Sequence, residues 1–135
     1  MPPDLTLEPY SLLNAGFEAR GLIFGAPLAL RLGVPFVPLR KPGKLPGAFL
    51  SAEYVTEYST DRIEMHVGAV QPGARCLLVD DLVATGGTLL AGAALVAQAG
   101  GAVVEAACVV EMPDLGGRAK LGEIKLFSVL LRAGD

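Results

Sequence analysis

The stretch Leu77-Leu78-Val79-Asp80-Asp81-Leu82-Val83-Ala84-Thr85-Gly86-Gly87-Thr88 decides the fold. Cys76 to Val79 is an uninterrupted apolar run ending in two acids, the pattern of a central parallel strand buried on both faces. A loop of small residues follows, with two hydroxyls and two glycines. It runs directly into Thr88 to Ala99, an Ala- and Leu-rich helix closed by Gly100-Gly101. Glycines let a backbone approach an anion closely, and a helix N-terminus offers unpaired N–H groups and a favourable dipole. Thr85 and Thr88 add hydroxyl donors. In open α/β sheets ligands bind beyond the C-terminal ends of the strands, so the segment reads as a phosphate cradle. It has neither the Gly-Lys-Ser/Thr ending of the nucleoside-triphosphate loop nor the Gly-x-Gly-x-x-Gly spacing of dinucleotide folds.

Two acids beside a phosphate would repel it unless they face something else, namely sugar hydroxyls or a cation. A phosphorylated ribose with free 2′ and 3′ hydroxyls fits both halves of the segment. Downstream, Ala102 to Val110 reads as a second buried strand, Asp114 to Gly122 as a short helix and Ile124 to Leu131 as a last strand. Upstream, Phe49 to Tyr58 and Arg62 to Val67 alternate about Ser59-Thr60-Asp61, which predicts an antiparallel ribbon around a polar turn. Arg40 to Ala48 is a basic loop punctuated by proline and glycine. Val34 to Leu39 is a strand with prolines near its ends. Gly21 to Gly33 predicts a buried helix of about three turns whose first turn Pro27 makes irregular. Tyr10 to Gly16 is a candidate strand in an otherwise patternless opening. Strand, helix and strand alternate, so the fold class is α/β: an open, mostly parallel sheet with flanking helices and a β-ribbon.

At 135 residues, 52% apolar and 19% charged, the chain has room for one domain with a real core and not for two. A net charge of -3 gives no electrostatic reason to expect nucleic acid or an anionic membrane as partner. No apolar run approaches the roughly 18 residues of a spanning helix. Met1-Pro2-Pro3-Asp4 carries neither the basic nor the apolar region of a secretion signal. Cys76 and Cys108 sit in apolar runs without metal-ligand spacing, so they read as buried core residues of a cytoplasmic protein.

Leu77 to Thr88 resembles the phosphoribosyl-pyrophosphate motif of type I phosphoribosyltransferases. The resemblance implies that Asp80 and Asp81 hold the ribose hydroxyls, while Ala84, Thr85, Gly86, Gly87 and Thr88 hold the 5′-phosphate. Three further segments are similar to the adenine-using members. Glu18-Ala19-Arg20-Gly21 matches their pyrophosphate loop, which implies Arg20 as a pyrophosphate ligand and Glu18–Ala19 as a cis peptide; alone, an arginine before glycine at a helix start is a weak signal. Arg40, Lys41 and Lys44 match a basic loop that binds pyrophosphate and from which one cation reaches the neighbouring subunit, implying a homodimer. Read alone, that loop is equally a solvated basic surface. Ala52 to Tyr58 lies in a ribbon like the family's mobile catalytic lid, and Glu57 matches its proton-transfer position. Met112 corresponds to an apolar residue that packs on the purine, with a core methionine as the alternative. His66 has no partner legible in sequence and reads as structural or exposed.

The implied reaction displaces pyrophosphate from C1 of 5-phosphoribosyl pyrophosphate by a nitrogen of adenine, giving AMP through an oxocarbenium-like state. Arg20, Lys41, Lys44 and Mg²⁺ would stabilise the departing pyrophosphate, with the ion held through substrate and water rather than by protein ligands. Glu57 would manage the proton. The resemblance covers residues 15 to 131. Met1 to Asn14 does not resemble the family's longer N-terminal region, which hoods the base, so a shortened N-terminus with uncovered apolar surface is expected. A module that holds phosphoribosyl pyrophosphate or AMP without turnover, and a transferase for another base, are the competing readings.

Overall fold

The computed structural model describes residues 12–55 and 58–133. β1 (Leu12–Phe17), α1 (Arg20–Leu32) and β2 (Phe36–Leu39) come first, followed by the two strands of a ribbon, β3 (Phe49–Val55) and β4 (Thr60–His66). β5 (Arg75–Val83), α2 (Gly87–Gln98) and β6 (Ala102–Glu111) form the central unit. A 3-10 turn at Pro113–Leu115, the single-turn α3 (Gly117–Lys120) and β7 (Leu126–Leu131) complete the described chain. Five strands make one sheet in the order β2-β1-β5-β6-β7, and every pairing in it is parallel. The run chosen from sequence is thus the middle strand, and the fold is the expected α/β sheet with a separate ribbon.

The two faces of the sheet are packed differently. Alternate residues of a strand point to opposite faces. Leu13, Ala15, Phe17, Val37 and Leu39 join a core with Cys76, Leu78, Leu89, Leu95 and Val96, so α2 covers their face. The ribbon closes the same core through Ala52, Ile63 and Met65. A Cβ on Gly92 of α2 would lie 2.5 Å from the Phe17 ring, which sets how closely that helix sits on the sheet. On the opposite face α1 packs through Gly21, Gly25 and Ala29. Asn14, fully buried there, donates from Nδ2 to the Gly25 carbonyl at 2.6 Å.

Several expectations need correction here. α1 is not a buried helix: Ile23 is 65% and Leu30 84% exposed. It begins one residue earlier, at Arg20, and carries Pro27 in its interior rather than near its start. Its first turn does tighten, with Leu22 N–H bonding Ala19 O at 3.2 Å, but this lies well before Pro27. β6 is not a second buried strand, because Val104 and Glu105 are exposed. α1 covers β1 and β5 and stops short of β6 and β7, leaving Val104, Phe127 and Val129 uncovered among the described residues. In the ribbon, Thr60 and Asp61 pair with Val55 and Tyr54, so they are strand residues and not the turn. Pro38 is tolerated within β2 because that strand is an edge, pairing only with β1 in the sheet.

Candidate phosphoribosyl site

β5 delivers Asp80 and Asp81 to the C-terminal edge of the sheet, where the chain turns into α2. Gly86, at φ +88°, makes that turn in the left-handed region that favours glycine. A cavity of about 200 Å³ opens there, lined by Asp80 and by every residue from Leu82 to Leu89. The loop that sequence assigned to phosphate and one of the acids assigned to ribose therefore border one space. α2 presents its first N–H groups at the same place, with no side-chain cap to occupy them.

The two acids are electrostatically unlike. Burial pushes the Asp80 carboxyl up to about 7, and its neighbour Asp81 adds to the rise. Burial acts on Asp81 in the same sense, but the Arg20 guanidinium and Asp80 together hold that carboxyl below the usual range. Arg20 Nε meets Asp81 Oδ2 at 2.5 Å, while its side chain remains 72% exposed. The Asp81 N–H donates to Asp80 Oδ1 at 2.8 Å, fixing the first carboxylate against the turn. Arg20 is held by the adjoining bend, where the Glu18–Ala19 peptide is cis as expected. Gly21 lets this bend reach β5, because a Cβ there would lie 2.9 Å from the Val79 carbonyl and 3.1 Å from Asp80 Oδ1.

The basic loop stands one layer further out. Arg40 Nε donates to Glu18 Oε1 at 2.9 Å, and the Lys41 N–H donates to the same oxygen at 3.1 Å. Burial pushes the Glu18 carboxyl up, and the Lys41 N–H together with the Arg40 guanidinium brings it below its ordinary value. Arg40 therefore braces the Arg20 bend instead of lining the cavity. Lys41 and Lys44 do not line it either. His66, which had no legible partner, bonds the Pro46 carbonyl through Nε2 at 3.0 Å and ties the ribbon to this loop.

The ribbon lies against the cradle, with the Val55 carbonyl 3.6 Å from where a Gly87 Cβ would sit. Its base belongs to the core, while Val55 and Tyr58 are exposed at the far end. Glu57 lies outside the described residues. Met112 is half-buried just beyond β6 and does not line the cavity, although its N–H bonds the Val83 carbonyl at 2.9 Å. Among the described residues no cluster of three or more His, Cys, Asp and Glu side chains is placed to hold a metal.

Sequence reasoning missed the segment behind the cradle. Glu111, 2% exposed at the end of β6, takes the forked guanidinium of Arg118 at 2.6 and 3.1 Å. It also accepts the Ser128 hydroxyl at 2.9 Å. The paired glycines 116 and 117 looked like part of a short helix, and nothing in their spacing told which loop they would touch.

A family model described as the phosphoribosyl transferase domain matches residues 15–130. Adenine phosphoribosyltransferase 1 of Triticum aestivum is 57% identical over an alignment that takes in 98% of this chain and 75% of its own length. The solved adenine phosphoribosyltransferase of Thermoanaerobacter pseudethanolicus superposes with a TM-score of 0.86 at 51% identity, over 91% of this chain and 71% of its own. That of Saccharomyces cerevisiae, complexed with an imino-altritol bisphosphate and adenine, superposes with a TM-score of 0.85 at 40% identity, over 94% and 73%.

Proposed function

This chain belongs to the adenine phosphoribosyltransferase family, and on that premise we propose that it converts adenine and 5-phosphoribosyl pyrophosphate to AMP and pyrophosphate. The observation that carries the reading is the cavity at the end of β5, where one carboxylate and a glycine-threonine loop share a wall. The 5′-phosphate sits on the N–H groups of Ala84 to Thr88 and the hydroxyls of Thr85 and Thr88. Asp80 and Asp81 take the ribose hydroxyls. Arg20, already held at the lip by Asp81, faces the pyrophosphate.

In the reaction the C1–O bond to pyrophosphate breaks, a ring nitrogen of adenine bonds to C1, and the proton on the base leaves. The sugar carries positive charge in between, so the groups that matter hold the leaving anion and remove that proton. Arg20 serves the first need, with Lys41 and Lys44 adding positive charge from the outer loop. Glu57 serves the second, and Met112 packs on the base. Mg²⁺ would be held through the phosphate oxygens of the substrate and through water rather than by protein ligands, as suits a hard cation. When bound, the ion supplies charge neutralisation at the pyrophosphate.

Two copies of the chain pair, in this reading, and the exposed apolar residues of α1 support it. The protein works in the cytoplasm, in keeping with the buried, unpaired Cys76 and Cys108. Chromatography of a mixture with adenine, phosphoribosyl pyrophosphate and Mg²⁺ tests the proposal. AMP should form, hypoxanthine and orotate should give no nucleotide, and Glu57→Ala should slow the reaction at least about a hundredfold. A folded sample that forms no AMP, or that uses another base in preference, would overturn it.

A further inference from the structure

The Ala84–Thr88 loop is backed by a second stretch of chain. Gly117, buried at the start of α3, lies directly behind it. A Cβ on Gly117 would stand 2.5 Å from the Ala84 carbonyl oxygen, 2.9 Å from Val83 Cγ1 and 3.2 Å from Gly86 N. Reciprocally, a Cβ on Gly86 would stand 3.0 Å from the Gly117 carbonyl oxygen and 3.2 Å from its Cα. Two stretches of backbone are thus in contact with no side chain between them. A side chain at Gly117 would have to displace the loop, while at Gly86 the space is tight and the φ of +88° itself favours glycine.

What holds Gly117 in place is the residue after it. Arg118 forks onto Glu111 with Nε at 3.1 Å and Nη2 at 2.6 Å, and Nη1 donates to the Leu126 carbonyl at 2.7 Å. Glu111 belongs to the end of β6 and Leu126 to the start of β7, so the guanidinium staples the α3 turn to two strands of the sheet. The Ser128 hydroxyl, on β7, closes the arrangement by donating to Glu111 Oε1. Met112 then joins the same corner to Val83, the last residue of β5 before the loop. A bidentate pair of this kind fixes direction as well as distance, which a lysine in its place cannot do.

We propose that Gly117, stapled by Arg118 to Glu111, is the backstop that shapes the Ala84–Thr88 loop for a sugar 5′-phosphate, so that both are positioning residues for that half of the substrate. The inference rests on the phosphate-cradle reading of the loop. Neither residue lines the cavity, so neither touches the ligand. Their effect runs through the N–H groups of the loop, which bind an anion well only when already aimed at it. In the pyrophosphate half of the site Arg20, on the α1 bend, pairs with Asp81 and not with the residues of the staple.

Calorimetric titration of the intact chain with ribose 5-phosphate, and separately with pyrophosphate and Mg²⁺, separates the two halves. Gly117→Ala should weaken ribose 5-phosphate about tenfold or more while leaving pyrophosphate within about twofold. Arg118→Lys keeps a cation beside the buried carboxylate and loses only the fork, so it should fold even if Gly117→Ala does not, and weaken ribose 5-phosphate about threefold to tenfold. In turnover the same variants should raise KM for phosphoribosyl pyrophosphate. Wild-type affinity for ribose 5-phosphate in folded Arg118→Lys, or equal loss for both ligands, would overturn the backstop. Wild-type chain that binds no ribose 5-phosphate at all would overturn the cradle reading, and the backstop with it.

Discussion

Asp80 stands at the end of a buried strand with Asp81 beside it, and both circumstances oppose its charge. They push its carboxyl up to about 7 in the folded chain, against about 3.9 in an unfolded one. A raised acid contributes stability that is complete below the unfolded value and is lost as pH rises through the folded one. Asp80→Asn keeps the oxygen that accepts the Asp81 N–H and removes the charge. Thermal melts should therefore show the variant gaining a few degrees over wild type at about pH 8 and nothing at about pH 4. A difference that does not change with pH would contradict the assignment. The pair itself was legible, because adjacent acids before a small-residue loop are chemically odd unless they face a sugar or a cation. That Arg20 would select Asp81 was not, since 61 positions separate them and only the sheet brings them together.

At the scale of elements the reading succeeded where a run is apolar on both faces or ends in glycine, as β5 and α2 do. It failed where an element is apolar for a reason other than burial. α1 carries Ile23, Pro27 and Leu30 on an exposed stripe, so its composition suggested a core position that its surroundings do not provide. A stripe of that kind, spaced at helical intervals, fits association with a second copy. Sedimentation velocity at micromolar concentration should give a dimer, and Leu30→Lys should shift it towards monomer with an unchanged circular dichroism spectrum. A wild-type monomer, or a variant that dimerises as well, would rule out this use of α1. The ribbon turn was misplaced because Ser59-Thr60-Asp61 is polar enough for a turn, yet the ladder continues through Val55 and Thr60. Cross-strand pairing decided that, and no local residue preference encodes it.

For the whole molecule, the core lies on one side of the sheet, between it and α2 with the ribbon, while among the described residues the other side is covered over β2, β1 and β5 and open over β6 and β7. The cavity sits where the sheet edge, the start of α2 and the ribbon converge, and the α3 corner supports it from behind. The candidate site thus belongs to one end of the sheet and is assembled from segments far apart in the chain. The half of the site contained in a single run, Asp80 to Thr88, was readable from the order of its residues. The support behind it, made by Gly117, Arg118 and Glu111, was invisible, because a glycine that touches another backbone looks the same in sequence as one that turns a loop.

In the proposed function the Ala84–Thr88 amides receive a sugar phosphate while the acids beside them receive the sugar. Titrating isotopically labelled chain with ribose 5-phosphate and following backbone amide resonances tests it most directly. The largest shifts should fall on Ala84, Thr85, Gly86, Gly87 and Thr88, followed by Asp80 and Asp81, with the uncovered face around Val104 and Phe127 unmoved. Saturable binding that leaves the loop amides in place, or shifts centred on that open face, would rule out the loop as the phosphate site.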